Sequence, residues 1–111
     1  MEYTGEDFYC EQVLNGKTQV NKVLETERTL AFHHTRPFWE THIVVIPKVH
    51  VGSLLTITDN GLLIELLETV KRVAAQVVEE KGAARVLTNL GEYQDSKHLH
   101  FHVNSGEKLR G

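Results

Sequence analysis

The 111-residue chain contains a single cysteine, Cys10. It therefore cannot form a disulfide within itself, and it offers no Cys-x-x-Cys pair for a structural zinc ion. The scarcity of cysteine is typical of the reducing cytoplasm, where we expect the protein to be located. The first ten residues, MEYTGEDFYC, are acidic and lack the basic and then apolar pattern of a signal peptide.

An excess of positive charge is also missing. The 12 Lys and Arg residues are outnumbered by 15 Asp and Glu residues, which gives a formal net charge of -3. This balance argues against binding of duplex nucleic acid, because that function usually needs a basic face that neutralises phosphates. A local site could still bind a small nucleotide.

Long hydrophobic runs are missing as well. Apolar runs such as IVVIP are far shorter than the about 20 residues that span a membrane. With 41% hydrophobic and 24% charged residues, the composition is that of an ordinary soluble domain. We therefore predict one domain over residues 1–111 that does not interact with a membrane.

One segment shows a clear helical pattern. Asp59 is a suitable N-cap and Gly82 a suitable C-terminal stop. Between them, apolar residues recur at helical spacing. They are Leu62, Leu63, Leu66, Leu67, Val70, Val73, Ala74, Val77 and Val78. The spacing predicts one long helix that packs against a sheet, and a short N-terminal helix is predicted over residues 7–15, ending at Gly16.

Alternating and β-branched segments predict five strands. They span residues 20–26, 29–34, 41–47, 84–91 and 98–103. Several strands, one long helix and then two more strands predict an α+β domain with a five-stranded, mainly antiparallel sheet.

The most unusual segment is KHLHFHVN, residues 97–104, which has a histidine at every second position. On a strand, His98, His100 and His102 share one face at intervals of about 7 Å. The residues that alternate with them are apolar and would pack under the long helix. These are Leu99, Phe101 and Val103.

A solvated strand face would be served equally well by Ser, Thr or Lys, so the three histidines indicate a function. They could bind a metal ion with one more ligand. Candidates for that ligand are His50, His42, Glu92 and Asp95. Alternatively, one imidazole could be a nucleophile toward phosphorus, because its pKa of about 6.5 leaves it neutral at pH 7.

The surrounding sequence resembles the histidine triad (HIT) family. The family mark is His-φ-His-φ-His-φ-φ with φ hydrophobic, and HLHFHV matches it except that Asn104 occupies the last φ. LAFHHTRPFWETHIVVIPKVHV resembles the central block of the family, and LTNLGEYQDSKHLHFH resembles its last segment. Together these segments cover about residues 20–104.

The resemblance implies roles for four histidines. His100 would be the nucleophile that forms a nucleotidyl-histidine intermediate, and His102 would bind a phosphate oxygen. His98 would orient the nucleophile or assist proton transfer to the leaving group. His50 matches a fourth family histidine beside the triad, whereas His33 and His42 receive no catalytic role.

Four further positions are implied as substrate contacts. Asn89 and Gln94 match polar contacts to the phosphate. Many members carry an acidic residue for the ribose hydroxyls where this chain has His34, and a small hydroxyl residue where it has Asp95. These two departures bear on nucleotide and leaving-group preference.

The resemblance also implies a HIT-like fold, a homodimer with a shared sheet, and no metal or other cofactor. The expected function is hydrolysis of a nucleotide phosphoramidate or another nucleotidyl conjugate at the α-phosphate. Hydrolysis of a dinucleoside polyphosphate, nucleotidyl transfer, and nucleotide sensing with little turnover are the alternatives.

Overall fold

The computed structural model describes Tyr9, residues 13–16 and residues 19–109. Its strands are β1 (Lys22–Glu25), β2 (Thr29–His33), β3 (Trp39–Pro47), β4 (Arg85–Leu87) and β5 (Phe101–Lys108). They form one sheet in the order β1-β2-β3-β5-β4, and each neighbouring pair is antiparallel. A long helix, α1 (Asn60–Lys81), connects β3 to β4. The predicted five-stranded antiparallel α+β fold is confirmed, while the helix predicted over residues 7–15 lies largely outside the described residues.

Helix α1 begins and ends where the sequence predicts. The Asp59 side chain accepts a hydrogen bond from the Leu62 N–H (3.0 Å), which satisfies one of the unpaired donors of the first turn. Gly82 adopts a left-handed conformation (φ 86°), and its N–H donates to the Val78 carbonyl (2.8 Å). One stripe of the helix is buried. It contains Leu62, Leu66, Thr69, Val70, Val73 and Val77.

This stripe packs on one face of the sheet. The apolar residues that alternate with the histidines lie in the same core cluster as the helix, as predicted. They are Leu99, Phe101 and Val103. The exposed flank of the predicted stripe includes Leu67 and Val78, which expose 46% and 47% of their surface.

The opposite side of the sheet, which carries Val44 and Ile46 of β3 and His102 of β5, is called the histidine face below. Val44 pairs directly with His102, so both side chains point to this side. Tyr9 and Val13 cover part of this face, in a second core cluster with the β3 residues.

The prediction of a strand over residues 98–103 is wrong in both its first and its last residue. Strand β5 begins at Phe101, because the preceding backbone turns to another partner: the Leu99 N–H donates to the Val51 carbonyl (2.6 Å). The strand then continues to Lys108, which pairs with Trp39 of β3. Strand β4 is likewise shorter than predicted, at three residues.

Candidate active site

The three predicted histidines lie around the start of β5, since His98 and His100 precede the strand and His102 is its second residue. His98 and His100 are buried, at 0% and 3% exposure, whereas His102 is half-buried. The His98 ring is fixed at the end of β3, since its Nε2 lies 2.9 Å from the Pro47 carbonyl oxygen. A carbonyl oxygen only accepts, so His98 Nε2 is the donor.

The His100 ring has a defined tautomer. Its Nδ1 lies 2.7 Å from the His98 carbonyl oxygen and must therefore carry the proton. In the neutral ring this leaves the lone pair on Nε2, the atom that can act as a nucleophile. The Thr88 hydroxyl donates to the His100 carbonyl (2.7 Å), and this hydrogen bond holds the main chain at His100 in place.

The His102 ring has the complementary tautomer, and His42 determines it. The Phe38 N–H donates to His42 Nδ1 (3.1 Å), so neutral His42 carries its proton on Nε2. That nitrogen lies 2.9 Å from His102 Nδ1, which must accept. His102 therefore carries its own proton on Nε2 and can donate from there.

The environment keeps both of these rings neutral. Burial lowers the pKa of His42 to about 4, with further contributions from the charged forms of His34 and His100. Burial also lowers the pKa of His102 to about 3, with contributions from His100 and His42. At pH 7 the pair therefore supplies an N–H dipole without a net charge.

Aromatic contacts extend the cluster on both sides. The His100 and His102 ring centroids are 4.9 Å apart and the planes nearly perpendicular (79°). Tyr9 packs against His100, with ring centroids 5.0 Å apart. On the other side, His34 stacks on His42 at 4.4 Å between ring centroids and 27° between planes.

The remaining predicted residues differ in how they relate to the histidines. His50 is exposed and contacts His98 edge to face, with ring centroids 5.5 Å apart. Gln94 is buried, and its Nε2 donates to the Gly52 carbonyl (2.6 Å), which ties its loop to the one after β3.

Asn89 and Asp95 are not joined to the cluster. Asn89 is half-buried next to Thr88, and Asp95 is exposed. Neither side chain makes a hydrogen bond or ion pair with a histidine in the part of the chain that the structure describes.

Sequence reasoning missed the role of His42, for which it predicted no function beyond that of a possible metal ligand. Its contact with His102 joins residues 60 positions apart and depends on the register of β3 against β5. A lone histidine in a strand carries no local signal of such a contact. The described residues contain no group of three or more His, Cys, Asp or Glu side chains arranged to hold a metal ion.

Comparison with known proteins agrees with this fold. The HIT domain family model matches residues 15–109, and the chain belongs to the HIT family. This is a family of hydrolase-type, nucleotide-processing proteins. Within the described residues, no helix has the length and apolar character needed to cross a membrane.

Three similar proteins illustrate the relationship. The chain is 35% identical to an uncharacterized HIT-like protein of Helicobacter pylori, over 88% of this chain and 95% of that one. It is 30% identical to the adenosine 5'-monophosphoramidase of Candida albicans, over 86% of this chain and 66% of that protein. A histidine triad protein from Clostridium difficile has a solved structure with a TM-score of 0.73 at 34% identity, covering 100% of this chain and 98% of that one.

Proposed function

We propose that the protein hydrolyses nucleotide phosphoramidates or related nucleotidyl conjugates at the α-phosphate. The observation that carries this proposal is the pair of opposite tautomers on adjacent rings. His100 presents a lone pair on Nε2, and His102 presents a proton on Nε2. One ring is suited to attack phosphorus, and the other to bind a phosphoryl oxygen.

In the first step, His100 Nε2 attacks phosphorus. The Nε2–P bond forms while the bond from phosphorus to the leaving group breaks, and a departing amine takes a proton from water. His102 donates from Nε2 to a phosphoryl oxygen, where negative charge is concentrated. The ring of His100 becomes a cation in the nucleotidyl-histidine intermediate.

The carbonyl of His98 stabilises mainly that intermediate. Its hydrogen bond from His100 Nδ1 becomes charge-assisted once the ring is cationic, so it stabilises the intermediate more than the starting state. In the second step, water attacks phosphorus and releases a proton to the solvent, the Nε2–P bond breaks, and neutral His100 is restored with release of a nucleoside monophosphate.

The likeness to the Candida phosphoramidase supports this choice of substrate class. The roles of His50, Asn89, Gln94, Asp95 and His34 as substrate contacts are part of the proposal. The ring contact of His50 with His98 and the stacking of His34 on His42 support the inclusion of these two residues.

We also propose that the protein is a cytoplasmic homodimer that pairs through β4. This strand lies at the edge of the sheet, and Val86 and Leu87 within it expose 48% and 38% of their surface. An exposed apolar edge is a template for pairing with a second chain.

A substrate panel tests the proposed reaction. Adenosine phosphoramidate and a lysyl-adenylate mimic are offered to the wild type, to His100→Ala and to His33→Ala as an exposed control on β2. Release of adenosine monophosphate by the wild type and the control, with loss in His100→Ala, is expected. Tight nucleotide binding without any turnover by the wild type would instead make the protein a nucleotide sensor.

A further inference from the structure

One cationic side chain lies on the histidine face beyond the histidines. Asn104 of β5 pairs directly with His42 of β3 on one side and with Arg85 of β4 on the other. Because directly paired residues project to the same side of a sheet, Arg85 is on the histidine face. It lies in the row next to His102.

The Arg85 guanidinium is held in place by three groups. Its Nη1 donates to the Asn104 Oδ1 (3.1 Å) and to the Gly106 carbonyl (3.3 Å). Its Cζ lies 4.5 Å from the centre of the Trp39 ring, within the range of a cation–π contact. Arg85 is an exposed residue, and these contacts orient its guanidinium.

None of these partners neutralises its charge. Asn104 and Gly106 offer neutral oxygens, and no carboxylate of the described residues lies within ion-pair distance of Arg85. A guanidinium remains protonated at any physiological pH. His42 and His102 are neutral at pH 7, so Arg85 supplies a charge that this pair lacks.

The histidine face continues from the reacting rings toward Arg85. In a displacement at phosphorus, the leaving atom lies in line with the attacking atom and on the opposite side. Along β5 the histidine face continues from His102 to Asn104, away from His100. A leaving group that extends along this strand reaches the neighbourhood of Asn104 and Arg85.

We infer that Arg85, supported by Trp39 and Asn104, forms a subsite for a leaving group that carries phosphate. The chemical class is a polyphosphate or a nucleotide that departs as an oxyanion: the Nε2–P bond forms, the P–O bond breaks, and the guanidinium stabilises the negative charge on the departing oxygens. This inference rests on the proposed function, because it assigns the leaving-group side of the same site. Among the nucleotidyl conjugates of the proposed function, it favours those whose leaving group carries phosphate.

Glu40 opposes this subsite. Its Oε2 accepts a hydrogen bond from the Glu107 N–H (3.2 Å), next to the Gly106 carbonyl that Arg85 contacts. This carboxylate repels an incoming anion. Glu40→Gln is expected to strengthen anion binding. If Arg85 had only a structural role, Glu40→Gln would leave anion binding unchanged.

Kinetics on two substrates measure the subsite in the reaction. Diadenosine tetraphosphate loses an anionic leaving group, whereas adenosine phosphoramidate loses a small neutral one. Arg85→Gln is expected to lower kcat/KM for the first by about 10-fold and for the second by less than about 2-fold, with Arg85→Lys in between. Arg72→Gln, an exposed arginine of α1, is the matched control and should change neither. An equal loss on both substrates, or no loss on the tetraphosphate, would overturn the inference.

Binding of inorganic tripolyphosphate measures the subsite without any reaction. Trp39 is the only tryptophan of the chain, so its fluorescence reports directly on the partner of Arg85. A saturable change in wild type and Arg72→Gln, absent in Arg85→Gln, is expected. If neither nucleotide substrate is turned over but this change is seen, the proposed function fails and the anion subsite stands. No saturable change in the wild type would refute the subsite, whatever the enzyme activity.

Discussion

At the scale of single side chains, a backbone amide determines what His102 can do. The Phe38 N–H can only donate, so it fixes the proton of neutral His42 on Nε2 and, through that atom, the proton of His102 on its outer nitrogen. His100 is oriented in the opposite sense by the His98 carbonyl. The proposed chemistry thus depends on two main-chain groups, the Phe38 N–H and the His98 carbonyl, which side-chain substitutions at those two positions leave in place.

Removal of the His42 donor tests this arrangement. His42→Leu is expected to lower kcat about 100-fold with little change in KM, because His102 is then no longer held in one tautomer and orientation. His42→Gln carries an amide N–H that can reach His102 Nδ1, and it should recover most of the rate. Steady-state kinetics on adenosine phosphoramidate provide the measurement. Equal rates for His42→Leu and wild type would show that His42 is only a packing residue.

The lowered pKa values of His42 and His102, about 4 and about 3, make stability depend on pH. Between these values and the unfolded value of about 6.5, the unfolded chain binds protons that the folded chain does not. The free energy of unfolding should therefore rise with pH across this window and level off above it. Each ring contributes at most about 1.4 kcal/mol per pH unit.

Urea denaturation at pH 4.5, 5.5 and 7 measures that slope. His42→Gln should flatten it, whereas His33→Gln, which removes an exposed histidine from the neighbouring strand, should leave it closer to the wild type. The same slope in His42→Gln and wild type would contradict the assignment of a neutral buried ring to position 42.

At the scale of elements, local patterns predicted what each segment is, and long-range pairing determined where it ends. Helix α1 could be predicted at both ends because Asp59 and Gly82 are local signals. Strand β5 could not, because Leu99, just before it, bonds to Val51 instead of to a strand, and Lys108 at its end pairs with Trp39. The histidine triad was visible as an alternation, but its link to His42 was set by the register of two strands.

The packing of α1 on the sheet gives a prediction with a built-in control. Leu66 is fully buried in the core, whereas Leu67 exposes 46% of its surface. Leu66→Ala should lower the free energy of unfolding by about 2–5 kcal/mol through lost burial and a residual cavity, and Leu67→Ala by less than about 1 kcal/mol. Urea denaturation of both variants is the check, and similar losses would contradict the assigned helix face.

At the scale of the whole molecule, the two faces of the sheet differ in what they contribute. The side that packs on α1 is apolar and provides stability, while the histidine face carries the proposed chemistry beside a second core cluster. The edge strand β4 connects the two, because Val86 pairs opposite the core residue Val103 and Arg85 opposite Asn104 on the histidine face. A dimer formed through β4 would therefore border the proposed leaving-group subsite.

Charge at the β4 edge tests that dimer. Val86→Lys should raise the dimer dissociation constant at least about 10-fold, because it places a charge in an apolar contact. Val49→Lys, at an exposed apolar residue of the loop after β3, is the control and should leave association unchanged. Sedimentation velocity over a range of concentrations gives the result, and a monomeric wild type would exclude the dimer.

The central claim, covalent catalysis by His100, is tested most directly by mass spectrometry of the enzyme quenched during turnover of adenosine phosphoramidate. The proposed mechanism predicts an added adenylyl group on the peptide that contains His100, at the imidazole of that residue, and its absence from His100→Ala. Turnover by the wild type without any adduct, or an adduct that persists on another histidine when His100 is replaced, would contradict it.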